Sequence, residues 1–231
     1  NMKIGEIVTR VQSLYSKGVA SDDSRLSKRL IYNKMLTVRS RLIVEQAKKK
    51  QRISRWNYQT ISCIELIKVS TADCPCIPPP GCSIVRSKFK LPKPLTDLSS
   101  SLIGSVMTID RGIKLNEITI NAVNASKGNK FAKASINYFI EGGYLYVSTP
   151  TNISFIKILG IFEDPIKANQ FETYCPNVQG KCLDYMEEEF PVDEDMIDVL
   201  VQLTVEEVVS VFSQGRQDDR NDGVDNNSRG K

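Results

Sequence analysis

One stretch, Asp22 to Arg55, contains no Gly and no Pro, and it limits what the rest of the chain can build. Ser21 and Asp22 can cap the first N–H groups of a helix there. The stretch closes on Lys48, Lys49, Lys50, Arg52 and Arg55, which complement the negative end of a helix dipole. Read as one helix at about 1.5 Å per residue it is roughly 50 Å long, where a small domain is about 30 Å across. Such a helix needs partners beyond one compact core. Its apolar positions Ile31, Met35, Val38 and Leu42 recur at spacings of four, three and four, with Leu26, Leu30 and Ile43 beside them. That makes a seam, not an all-round apolar surface. The four are candidates for contacts between copies, and the same spacing fits a face turned to the subunit's own core.

Upstream, residues 3–17 predict a helix with Ile4, Ile7, Val8, Val11, Leu14 and Tyr15 on one face and Lys17-Gly18 as its stop. Gly18 to Ser21 is short enough only for a sharp return, so the two helices are expected as a hairpin. A helix-turn-helix DNA reader is disfavoured, because a recognition helix needs only about half this length. Past Trp56 the period becomes alternating. Strands are expected at Tyr58 to Val69 (Ile61, Cys63, Glu65 and Ile67 facing one way), Ser83 to Phe89, Gly104 to Ile109, Glu117 to Val123, Ile136 to Glu141, Tyr144 to Thr149 and Asn152 to Phe162. Gly142-Gly143 marks a hairpin turn that wants positive φ, and Leu91-Pro-Lys-Pro94 reads as an extended connection. Asp164-Pro165 opens a short helix. Residues 171–190 read as irregular and acidic. Asp193 caps a last helix whose buried side holds Met196, Ile197, Leu200, Val201, Thr204, Val208, Val211 and Phe212, ending near Gln214-Gly215. Residues 216–231 hold only Val224 as an apolar side chain and are expected to be disordered without a partner.

The net charge of +4 hides an asymmetry: residues 1–95 carry 19 Lys or Arg against 6 Asp or Glu, so the remainder, 12 against 21, carries −9. This polarity suits stacked or head-to-tail contacts, or a basic face for a polyanion; two independently solvated faces are the bland alternative. No apolar stretch reaches the eighteen or so residues of a membrane span and no signal-peptide core is present, so a chain that starts in the cytosol is expected. Six cysteines are too few for a disulfide scaffold. Cys63, Cys74, Cys76 and Cys82 have the number but not the paired C-x-x-C spacing of a zinc ribbon. Local thiols stiffened by Pro75 and Pro78 to Pro80 are the favoured reading, with a Cys175–Cys182 disulfide open only outside a reducing compartment.

The chain has no histidine. That removes Ser-His-Asp and Cys-His arrangements, the H-E-x-x-H zinc site and any imidazole base. No Walker loop or G-x-G-x-x-G follows a strand. Asp218 to Asp225 fails as a calcium loop, since Arg220 takes a ligand position and no Glu closes it. Glu187 to Glu189 with Asp193 to Asp195 could hold a hard metal, yet an acidic helix N-terminus accounts for the second group. No catalytic residue, metal site or cofactor is therefore assigned, and an enzyme is not expected.

Several long strings carry a resemblance. Lys3-Ile-Gly-Glu-Ile-Val-Thr-Arg-Val-Gln-Ser-Leu-Tyr-Ser-Lys-Gly18, Ser21-Asp-Asp-Ser-Arg-Leu-Ser27, Ile31-Tyr-Asn-Lys34 and Arg55-Trp-Asn-Tyr-Gln59 resemble the ring, or head-to-tail adaptor, proteins of crAss-like tailed phages. Lys90-Leu-Pro-Lys-Pro-Leu-Thr-Asp97, Phe162-Glu-Asp-Pro165, Phe190-Pro-Val-Asp-Glu-Asp-Met-Ile197 and Phe212-Ser-Gln-Gly215 extend the likeness over nearly the whole chain. The resemblance implies a structural virion protein at the head–tail junction, assembled in the host cytoplasm. It implies a homo-oligomeric ring of about twelve copies beneath the portal protein that meets further tail ring proteins and passes the packaged DNA through its lumen. It brings no catalytic residues. It also implies that the polar segment from Gly215, with Arg216, Asp218, Asp219 and Arg220, is an arm that docks on the portal.

The expected architecture is α+β and adaptor-like: a long helical hairpin plus C-terminal helix (residues 1–56 and 163–215) packed with a small β-rich domain (57–162), then a flexible tail (216–231). The rival function is a nucleic-acid-binding accessory protein using Arg39, Arg41, Lys48 to Lys50, Arg52 and Arg55, with Trp56 and Tyr58 for stacking. Against it stands the ordinary role of such cations as a solvated helix end.

Overall fold

The computed structural model describes residues 2–17, 26–69, 84–97, 100–109, 112–119, 136–148, 152–171 and 184–225, with side chains as far as Phe212 in the last segment. The chain forms two compact units, Asn1–Trp56 with Asp184–Lys231, and Asn57–Leu183.

In the first unit α1 (Ile4–Tyr15), α2 (Lys28–Lys48) and α4 (Glu194–Asp225) pack on one another. Ile4, Ile7, Val8 and Val11 of α1 are buried, as are Ile31, Met35, Val38 and Ile43 of α2 and Leu200, Val201 and Val208 of α4. With Arg39 of α2 and Ile197 and Thr204 of α4, which are also buried, these positions follow three- and four-residue steps, so each helix turns one stripe inward. Ser27 caps α2, its Oγ accepting from the Leu30 N–H at 3.2 Å. At the other end the Lys50 N–H donates to the Ala47 carbonyl (2.9 Å) and the Gln51 N–H to the Gln46 carbonyl (3.0 Å), with Lys50 at φ +53°. That is a Schellman closure with lysine in the left-handed position glycine usually takes. The predicted 34-residue helix is therefore a 21-residue one, about 32 Å long. Its stop was invisible because no Gly or Pro announces it. Lys50→Gly should relieve the side-chain clash at positive φ and raise stability by about 0.5–1 kcal/mol; a lower urea midpoint would count against this cap geometry.

The second unit is a closed barrel. Its strands are β1 (Gln59–Lys68), β2 (Ile84–Ser87), β5 (Ile103–Thr108), β6 (Lys114–Glu117), β7 (Asn137–Glu141), β8 (Tyr144–Ser148) and β9 (Phe155–Gly160), in the order β1-β2-β8-β7-β6-β5-β9 and back to β1. A two-stranded ribbon, β3 (Thr96–Asp97) with β4 (Ser100–Ser101), lies outside that ring of strands. Neighbours are antiparallel except β6 and β7. Ile61, Ile64, Leu66, Val85, Val106, Leu115, Leu145, Val147, Ile156 and Ile158 fill the interior. Closure leaves the seven strands without a free edge. The β7–β8 turn takes Gly142 at φ +59° and Gly143 at φ +84°, as a two-residue hairpin of this hand requires. Helix α3 (Pro165–Phe171) adds Ala168 and Phe171 to the barrel core.

Tyr138 is buried inside the barrel with its hydroxyl 3.4 Å from Glu117 Oε2. Burial, reinforced by the Glu117 carboxylate, pushes its phenol well above the usual tyrosine range. Because the folded state holds this proton more tightly than the unfolded chain, the stabilisation is complete below the ordinary value of 10.0 and fades as pH rises beyond it. The chain should lose stability above pH 10.0 more steeply than its Tyr138→Phe variant, as followed by thermal melts across alkaline pH.

The architecture expected from sequence does not hold. There is no long helical hairpin carrying a small β domain: α1 and α2 have 12 and 21 residues, and the barrel unit holds more than half of the chain. Residues 163–171, expected with the helices, belong to the barrel because α3 covers its core. In β1 the register shifts between Ile61 and Ile64, so Ile61, Ile64 and Leu66 face inward where strict alternation predicted Ile61, Cys63, Glu65 and Ile67. Strand β6 lies earlier than expected, at Lys114–Glu117. Backbone helix continues to Asp225, through the first part of the segment expected to be disordered. Cys63 lies partly buried in β1; Cys74, Cys76, Cys82, Cys175 and Cys182 lie outside the described residues.

Candidate functional site

Surfaces, not a pocket, are the candidate site. Among the described residues no group of three or more His, Cys, Asp and Glu converges for a metal, and no helix is long and apolar enough to cross a membrane.

The helical unit is built around residues 186–192. The Ile4 N–H donates to the Glu188 carbonyl and the Gly5 N–H to the Met186 carbonyl, both at 2.9 Å. The open donors of α1's first turn are thus satisfied by this strap, and a Cβ on Gly5 would sit 3.0 Å from the Met186 oxygen. Phe190 is fully buried, and Arg39 Nε donates to the Pro191 carbonyl at 2.9 Å with its guanidinium 5.7 Å from the Phe190 ring. Arg39, placed by sequence among cations for a polyanion, is 0% exposed. It is an internal tie and presents no charge to a nucleic acid.

The surface of this unit is sharply polar. From Lys28 to Arg55 there are ten Lys or Arg and one Glu; from Asp184 to Phe212 there are ten Asp or Glu and no Lys or Arg. Part of this charge is neutralised within the unit, Lys34 and Arg41 meeting Glu207 at 3.4 and 3.3 Å. Arg10 likewise meets Asp198 at 3.6 Å and Lys3 meets Glu187 at 2.8 Å, and Arg39 is buried; exposed charge remains at the end of α2 and on α4. At and just past the end of α2, Lys48, Lys49, Lys50, Arg52, Arg55 and Trp56 are exposed, and the Arg55 guanidinium lies 5.0 Å over the indole ring. On α4, Asp195, Asp198 and Glu206 surround Val199 on the side away from Leu200, Thr204 and Val208.

The predicted seam falls elsewhere than on this surface. Ile31, Met35 and Val38 are 0% exposed in the unit's own core and Leu42 is partly buried, so the first three offer no side-chain area to a second copy. Gly215, Arg216, Asp218, Asp219 and Arg220 lie on the helical backbone of α4. Val211 and Phe212, expected to be buried, are 41% and 37% exposed. The outward face of α4 was missed by sequence reading. Its signal was available: carboxylates at positions i, i+3 and i+11 from Asp195, with a lone valine among them.

The chain matches the family described as phage tail ring protein 2 over residues 6–227. It is also similar to "Ring protein 2" of Bacteroides phage crAss001, 28% identical over 214 residues that cover 88% of this chain and 89% of that protein. Both likenesses run through the helical unit and the barrel alike. The expected resemblance therefore stands, and the role that comes with it is that of a structural component of the virion's tail: this chain belongs to the phage tail ring protein 2 family of crAss-like phages.

Proposed function

We propose that the chain assembles into a closed ring of about twelve copies beneath the portal, where it connects head to tail and continues the DNA channel. It acts by contacts alone, without catalysis or cofactor, with portal, further tail rings and passing DNA as its partners. Assembly takes place in the host cytoplasm. The observation that carries this reading is the extent of the family match, which takes in both units from residue 6 to residue 227. The absence of histidine and the segregated charge of the helical unit are consistent with it.

Electron imaging of the purified full-length protein, alone and mixed with the phage portal, tests the proposal. Rings, or monomers that close into rings on the portal, are expected. A monomer that ignores the portal under all conditions overturns it. Deleting residues 216–231, which removes the end of α4, should weaken portal docking while the remaining fold persists; undiminished docking would remove the C-terminal arm from the proposal.

A further inference from the structure

We infer that neighbouring copies are joined by the basic end of α2 on one chain and the outward face of α4 on the next, with Trp56 as the anchor. This rests on the ring reading above and names the surfaces that close the ring. Every chain in a ring must present two different, mutually complementary patches, one to each neighbour. The helical unit carries two such patches. The first is Trp56, 50% exposed, under the Arg55 guanidinium, with Lys49 and Arg52 exposed in the same short stretch of chain. A half-exposed tryptophan with a stacked arginine has the residue composition of an interface hot spot, and a purely solvated helix end has no use for it. The second is Val199, 46% exposed, with Asp195, Asp198 and Glu206 on the same face of α4. From Asp195 to Glu206 this face runs about 16 Å, room for several cations around one apolar contact.

The signs make the contact directional. Basic end against acidic face attracts, whereas either patch against its own copy repels, so head-to-tail order is favoured over a two-fold dimer. The α4 carboxylates also argue for a protein partner over DNA, because the unit that would bind phosphate carries as many carboxylates as cations between its two charged segments. Exposed ion pairs contribute little singly; burial of Trp56 supplies affinity and the charges supply register.

The test uses full-length protein, with assembly followed by mass photometry and by emission of Trp56, the only tryptophan in the chain. Assembly should shift the emission to the blue and weaken between about 50 and 500 mM salt. The pair Lys49→Glu/Arg52→Glu and the pair Asp198→Lys/Glu206→Lys should each raise the assembly concentration about tenfold or more, and combining all four in one chain should restore it to within about threefold. Trp56→Ala should cost about thirtyfold. All of these positions are exposed, and circular dichroism reports whether each variant is folded. Rings that form normally in both reversed pairs, with unmoved emission, overturn this inference and leave the ring reading standing. No ring under any condition, with or without portal, overturns both. Salt-dependent DNA binding that is lost in Lys49→Glu/Arg52→Glu and not regained in the fourfold variant reassigns the basic end to nucleic acid and overturns the inference.

Discussion

Replacing Arg39 by alanine should destabilise the helical unit by about 3–5 kcal/mol, a large part of the stability of an ordinary domain. Arg39 is among the largest fully buried side chains of the protein. Its removal opens a cavity beside Phe190 and deprives the Pro191 carbonyl of the Nε–H donor at 2.9 Å. Both effects fall on the strap whose carbonyls at Met186 and Glu188 hold the first turn of α1, so the loss should spread from α2 to the neighbouring helix. Arg39→Met keeps the length of the side chain and loses the hydrogen bond, and should cost about 1–3 kcal/mol. Urea unfolding gives the magnitudes, and hydrogen exchange at residues 28–48 gives the location. An Arg39→Ala protein within about 1 kcal/mol of the parent would mean that the guanidinium is not a buried tie. Loss of function in this variant would report unfolding, not a lost phosphate contact.

Phe162→Ala should cost the barrel a similar amount, about 3–5 kcal/mol. Phe162 follows β9, the strand that pairs with both β1 and β5, and it is 1% exposed in the barrel core. It also bridges to Pro94, while the Leu95 N–H donates to the Ile161 carbonyl at 2.7 Å and the Glu163 N–H to the Lys93 carbonyl at 3.0 Å. A Cβ on Gly160 would lie 3.4 Å from its ring, so the glycine leaves the space the ring fills. The variant should lower the urea midpoint and speed exchange in β1, β5 and β9. A cost below about 1.5 kcal/mol would indicate that neighbours collapse into the space and that the ring is not a keystone of closure.

Local features of the sequence decided a good deal of this protein. Period-3.6 apolar stripes placed α1 and the inner face of α4, alternating runs placed six of the barrel strands, and Gly142-Gly143 determined a turn that its positive φ values bear out. The absence of histidine narrowed the chemistry, and long strings such as Phe190 to Ile197 pointed to the family without any structure. The outcome was different wherever a decision depended on residues distant in the chain. Nothing local distinguishes a seam that meets another copy from one that meets α4, so only packing showed Ile31, Met35 and Val38 to be internal. Nothing local tells a surface arginine from Arg39, whose partner lies 152 residues away at Pro191. The register shift in β1 and the closure of β1 on β9 follow from hydrogen bonds between segments that the sequence does not bring together, while the end of α2 at Lys50 is a local cap that no Gly or Pro announces. Periodicity records which side of an element is apolar; only the tertiary structure decides what that side is buried against, because burial is a property of pairs of segments and not of either one.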